Sequence, residues 1–194
     1  MSLIILDRQH IGKPNNPDDL GAYSEISHEH EAHLVGQYFL EIECTLRALG
    51  HSVVVISDGA YSRRHQRANS FFAASSGAAL YLAGHVNAGG GSYGAVFHDH
   101  RSSMGSVAAT FIAESLQGVK GLKKTKVIES KPGDWTEHAF NTTSGIWKGK
   151  GAGVCLEPFF LDCKKHKHLM TDEGLESVGH AIALGVDLWV RKLR

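Results

Sequence analysis

AALYLAGH, residues 78–85, runs apolar from Ala78 to Ala83 and then stops on Gly84 and His85. So short a run, bounded by a glycine, reads as a strand buried on both faces, the strand type of a parallel sheet. Working outward, SLIILD (2–7) and HSVVVIS (51–57) are runs of the same kind. Between them Leu34, Tyr38, Ile42, Thr45 and Leu49 recur at helical spacing, and Gly50 supplies a stop. Residues 63–75 contain no breaker and predict a second helix. Downstream, GAVFHD (94–99) predicts a strand and residues 103–117 a helix. GVCLEPFF (153–160) is a further apolar run, and residues 175–193 form a closing amphipathic helix. Residues 11–24 read as loop, and 119–150, with Trp135 and Trp147, are less regular. Strands alternating with helices predict an α/β layered sandwich, its mostly parallel central sheet flanked by helices on both faces. The length of 194 residues suits one domain, 1–194.

Composition narrows the function. Hydrophobic residues at 42% and charged residues at 21% describe a globular chain, not a disordered one. Twenty basic residues balance twenty acidic ones, which argues against nucleic acid as a partner recognised by bulk charge. The apolar run at Leu3–Leu6 is too short for a signal peptide or a membrane span. The expectation is synthesis in the cytoplasm with no export address. Cys44, Cys155 and Cys163 are unrelated in spacing, so they read as reduced thiols, two of them in the core.

Three of the predicted strands end on titratable residues: LDRQH on His10, AALYLAGH on His85, and VCLEPFF on Glu157. Ligands of open α/β sheets bind beyond such strand ends. Taken singly, each histidine is more often a hydrogen-bonded strand-edge residue, and Glu157 reads equally as a loop glutamate beside Pro158. Taken together, two histidines and a carboxylate at the head of the intervening helix supply the three ligands of a zinc site with an open position. A carboxylate at the end of an apolar run suits proton transfer.

SEISHEHEAH (24–33) fails as a self-contained zinc motif, because His28 and His30 are followed four residues later by Ala32 and Leu34. It reads mainly as a solvated helix start with acids favouring the helix N-terminus. GHVNAGGGSYG (84–94) lacks both phosphate-binding glycine patterns, and its glycines are expected to let the chain turn sharply near His85. Ser103 and Ser106 have no GxSxG context, and nucleophilic catalysis is not supported.

In this order the segments resemble the zinc-dependent N-acetylmuramoyl-L-alanine amidases, the amidase-3 family. LDRQH matches its LDxGH, RRHQRAN (63–69) its arginine-rich helix ending in AN, GHVNA its HxNA-type motif, and VCLEPFF the first half of VLVExGF. The resemblance spans residues 3–183. It implies zinc held by His10, Glu31 and His85, with Glu31 preferred to Glu25 and Glu29 by its register against Gly50. Glu157 then becomes the catalytic glutamate, and peptidoglycan or a muropeptide the substrate, cleaved between N-acetylmuramic acid and L-alanine. Asn87, Arg67, His98 and Trp135 are candidate substrate-binding residues. Gln9 stands where the family has glycine, FFLDC (159–163) departs from GFxSN, and HDHRS (98–102) has no counterpart. A phage or prophage lysin fits the expected lack of an export signal. Two other readings use the same residues: a zinc amidohydrolase or carboxypeptidase acting on small N-acyl amino acids, and a non-catalytic cell-wall-binding domain.

Overall fold

The computed structural model describes residues 2–12, 16, 18–146 and 151–194; Trp147 lies outside the described residues. In chain order the elements are β1 (Leu3–Arg8), β2 (Tyr23–Ser24), β3 (Glu29–His30), α1 (Glu31–Ala48), β4 (Ser52–Ile56) and α2 (Tyr61–Ala74). Then come β5 (Ala79–Gly84), β6 (Gly94–Asp99), α3 (Ser103–Leu116), β7 (Thr125–Ser130), α4 (Glu137–Thr143) and β8 (Ala152–Glu157). A 3-10 helix (Lys164–Met170) and α5 (Asp172–Lys192) close the chain.

Six strands form one sheet in the order β4-β1-β5-β8-β6-β7. The first four are parallel, and β6 joins β8 antiparallel with β7 parallel to β6. Side chains alternate between the two faces of each strand. Ile4, Leu6, Leu80, Leu82, Val154 and Leu156 enter the core shared with α1, α3 and α5. Leu3, Ile5, Tyr81, Ala83 and Cys155 enter the core that takes Phe72 from α2 and Ala139 from α4. Continuous apolar strands are therefore what a sheet covered on both faces demands.

Several sequence expectations shift. Residues 119–150 contain β7 and α4. TKVIES is an edge strand with alternating exposure, and EHAFNTT is too short and polar to announce a helix. SEISHEHEAH straddles a two-stranded hairpin, with Glu29 and His30 paired to Ser24 and Tyr23, so α1 begins only at Glu31. On α1 the buried stripe ends on Leu46, while Leu49 is exposed. Of the cysteines only Cys155 is buried, and Cys44 is exposed.

Candidate active site

β1, β5 and β8 are neighbours in the sheet, so their carboxyl ends place His10, His85 and Glu157 along one edge. The turn carrying His10 is set from below. Asp7 is fully buried, and its carboxylate accepts from Arg64 of α2 at 2.5 Å, from the Tyr81 hydroxyl, and from the Gln9 amide at 2.5 Å. Burial pushes the Asp7 carboxyl up, against the opposing pull of the Arg64 charge and the Tyr81 hydrogen bond. Arg64 also donates to the carbonyls of Arg8 (3.0 Å) and Ile11 (2.5 Å), which bracket His10. The left-handed residue of the turn is His10 itself, at φ 60°, not Gln9. Gln9 is buried and bonded to Asp7, so its side chain is accommodated without a glycine's freedom.

Above that turn three side chains converge. His10 Nε2 lies 3.1 Å from His85 Nδ1 and 3.2 Å from Glu31 Oε1, and the last two atoms are 3.0 Å apart. A tetrahedral metal with bonds of about 2.0–2.1 Å sets its ligand atoms about 3.3 Å apart. The triangle is close to that size, and two imidazole nitrogens with one carboxylate oxygen suit zinc over the all-oxygen preference of magnesium or calcium. Among Glu25, Glu29 and Glu31, only Glu31 is buried; the other two are exposed, and Glu29 pairs with His33 at 2.9 Å.

The three candidate ligands are themselves held. The Val86 N–H donates to Glu31 Oε1 at 3.0 Å and the Ala22 N–H to Oε2 at 3.3 Å. Tyr38 of α1 donates to the His85 carbonyl at 3.0 Å, and the His85 N–H bonds to the Leu156 carbonyl of β8. His10 Nδ1 is 3.6 Å from Asp19, a carboxylate placed as those behind metal-binding histidines are. Burial favours the neutral form of Glu31, but its contacts with His10 and then His85 outweigh that and keep the carboxyl well below the usual range. Gly21, at φ 74°, closes this side: a Cβ there would sit 2.6 Å from Glu31 Oε2 and 3.1 Å from the His10 ring.

Glu157 is 4% exposed, and its Oε1 accepts from His138 Nε2 at 2.7 Å. His138 stands on α4, half exposed, with its ring edge-on to Phe97 at 5.6 Å. Its hydrogen bond to Glu157 raises the imidazole pKa above 6.5, against the lowering effect of burial. Sequence reasoning missed His138, because nothing in GDWTEHAFN announces that α4 crosses the end of β8.

The remaining candidates separate. Trp135 is 67% exposed and packs edge-on to the same Phe97, so it borders Glu157 through the Phe97–His138 contact. Asn87 bridges the loops after β5 and β8, bonding through its backbone to Phe159 and Leu161. Arg67 is partly exposed and ion-paired with Asp58; the arginine of RRHQRAN that reaches the site's foundation is Arg64. His98 is buried opposite Val154, three residues before Glu157 on β8, and β6 runs antiparallel there. That reversal carries His98 three residues from the Glu157 end of the sheet.

No family model matches the sequence, and no curated protein matches it by sequence. Solved structures match by shape. The catalytic domain of CwlV, an N-acetylmuramoyl-L-alanine amidase from Bacillus (Paenibacillus) polymyxa var. colistinus, has a TM-score of 0.72 at 20% identity, over 98% of this chain and 99% of that one. The chain has the amidase fold. Cwp6 from Clostridium difficile matches at TM-score 0.76 and 20% identity; the chain covers 29% of Cwp6's length, over 97% of its own. The catalytic domain of the CD27L endolysin, which targets Clostridia difficile, follows at 0.65 and 19%, over 97% of each chain. Within the amidase fold, no helix of the described residues is long and apolar enough to cross a membrane.

Proposed function

We propose that the chain is a zinc-dependent cell-wall hydrolase that cleaves the amide between N-acetylmuramic acid and L-alanine of peptidoglycan. The observation that carries the reading is the triangle of His10 Nε2, Glu31 Oε1 and His85 Nδ1, with edges of 3.0–3.2 Å, on the sheet edge that also carries buried Glu157. Zinc bound there would supply a Lewis acid and lower the pKa of a water to about 7. Glu157 takes a proton from the attacking water and returns it to the departing amine of L-alanine. His138 donates to Oε1, which leaves Oε2 as the oxygen for proton transfer. Likeness in shape to CwlV and the CD27L endolysin supports the substrate class and an action on the wall as a lysin.

An open site favours a polymer over a small N-acyl amino acid: Trp135 is largely exposed and His138 half exposed beside Glu157. Asn87 and Trp135 border the site and are proposed to contact the substrate; Arg67, held by Asp58, and His98, buried on β6, are the weaker candidates. A buried carboxylate on the same sheet edge as three convergent ligand atoms argues against a pure binding module.

The test pairs metal analysis with release of peptide from purified muropeptide. Glu157→Gln should keep its zinc and lose cleavage by at least about a hundredfold. A variant that holds zinc and cleaves at the wild-type rate removes Glu157 from the mechanism.

A further inference from the structure

Lys120, Lys123 and Lys124 lie between α3 and β7, and Lys126 on β7 itself. Lys164, Lys165 and Lys167 lie on the 3-10 helix that follows the loop after Glu157. In sequence these are two separate runs, and the fold joins them twice. His168 Nε2 bonds to the Lys120 carbonyl at 2.8 Å. Lys126 Nζ sits 3.6 Å over the Tyr93 ring, Tyr93 meets Phe160 edge-on at 5.0 Å, and the Phe160 N–H donates to His166 Nδ1 at 3.0 Å. These contacts make the two lysine runs neighbours in the fold. All of these lysines are exposed except Lys126, which is half-buried.

None of these lysines forms an ion pair with a described residue. Among the described residues the one lysine in an ion pair is Lys131, with Glu129. Four of the chain's acids pair with arginines elsewhere: Asp7 with Arg64, Glu43 with Arg47, Asp99 with Arg101, and Asp187 with Arg191. Asp162, within this surface, turns its carboxylate to the N–H groups of Gly89 and Gly90 at 2.8 Å. Asp172 and Glu173 sit in the first turn of α5. Unpaired like charges repel one another, and a polyanion relieves that repulsion.

The surface adjoins the catalytic edge. Gly94 bonds to the Lys124 carbonyl at 2.9 Å and lies beside Ala95, which faces Glu157 across the sheet. Thr125 is thus two strands from Glu157, about 10 Å at the usual strand spacing.

We propose that this lysine surface binds an anionic phosphodiester-linked polymer of the cell wall and holds the catalytic edge against the wall; the proposal rests on the wall-hydrolase reading above. The chemistry favours a polyol phosphate over nucleic acid. Phe160 is 4% exposed and Tyr93 lies beneath Lys126, so neither offers a face for base stacking. Both runs use lysine, a point charge, and contain no arginine fork for planar recognition. Val127 is the one large apolar side chain exposed in either run, which leaves a membrane without an anchor.

The test measures binding of full-length protein to soluble linear poly(glycerol phosphate) across a salt series. Wild type should bind and lose about tenfold or more in affinity between about 50 and 200 mM salt. Changing Lys120, Lys124, Lys164 and Lys167 together to Glu should weaken low-salt binding by at least about tenfold and flatten the salt slope. Changing Arg47, Lys131, Arg191 and Lys192 to Glu alters net charge equally and should cost far less. Thermal melts confirm that both variants fold. Both should cleave an uncharged soluble muropeptide at the wild-type rate, so a failed amidase reading shows in that assay and a failed surface shows in binding. Equal loss in the two variants, no loss in the first, or tighter binding of a single-stranded oligonucleotide or of anionic vesicles than of the polyol phosphate would each overturn the proposal.

Discussion

His138 Nε2 stands 2.7 Å from Glu157 Oε1, joining a half-exposed imidazole to a buried carboxylate. The hydrogen bond to Glu157 is the largest cause of the raised His138 pKa, with burial opposing it. Glu157→Gln should therefore return the imidazole toward 6.5 in an NMR titration. The sign for stability follows: a raised folded-state value stabilises fully below 6.5 and fades as pH rises through the raised value. His138→Ala should be less stable than wild type in acid, and the difference should close in alkali. A constant deficit at all pH values would mean that packing on Phe97, not the proton, is what His138 contributes.

Metal content separates the glutamates of the hairpin and helix start. Glu31→Ala removes a ligand atom that lies 3.0 Å and 3.2 Å from its partners, whereas Glu25 and Glu29 are exposed. Loss of groups that merely support ligands costs about 10–100-fold in metal affinity, and loss of a ligand should exceed that. Glu25→Ala and Glu29→Ala should bind zinc as wild type does. Equal zinc in all three variants would end the assignment of Glu31.

How the sequence exposed some of this and hid the rest has a physical basis. His10, His85 and Glu157 end apolar strands covered on both faces, so composition alone marks where each strand stops. β7 shows water one face and α4 is built largely from hydroxyl, amide and charged residues, so neither leaves an apolar signature. His138 was lost with α4. His98 followed a correctly read strand, yet a strand's direction is set by its neighbour and is invisible in its own residues. The lysine surface needed two distant runs brought together by His168 and Phe160.

The buried pair of Asp7 and Arg64 should matter twice. Arg64→Ala leaves the Asp7 carboxylate buried without its cation, a loss of about 3–5 kcal/mol in similar cases. It also frees the Arg8 and Ile11 carbonyls on either side of His10, so zinc affinity should fall along with stability. Denaturant unfolding and zinc titration read the two effects. Arg67→Ala, which loses only an exposed partner, should leave both unchanged. If Arg64→Ala unfolds more easily but binds zinc normally when folded, the turn at His10 is held by something else.

Gly21 provides a finer probe of the ligand triangle. Its φ of 74° disfavours any side chain, and a Cβ would press on Glu31 Oε2 at 2.6 Å and on Glu31 Cβ at 2.9 Å. Both contacts push the carboxylate toward the two histidines or out of their plane. Ala22 and Ile26 of the same loop pack on the larger core, so Gly21→Ala should also lower the melting temperature by about 2–4 °C. Zinc affinity should fall by about 10–100-fold, as for other disturbed ligand supports. Cleavage at saturating zinc should recover in part, because the ligand atoms themselves remain. A variant that binds zinc as tightly as wild type would show that Glu31 has room to move, and that the 3.0–3.2 Å triangle is less constrained from the Gly21 side than its contacts indicate.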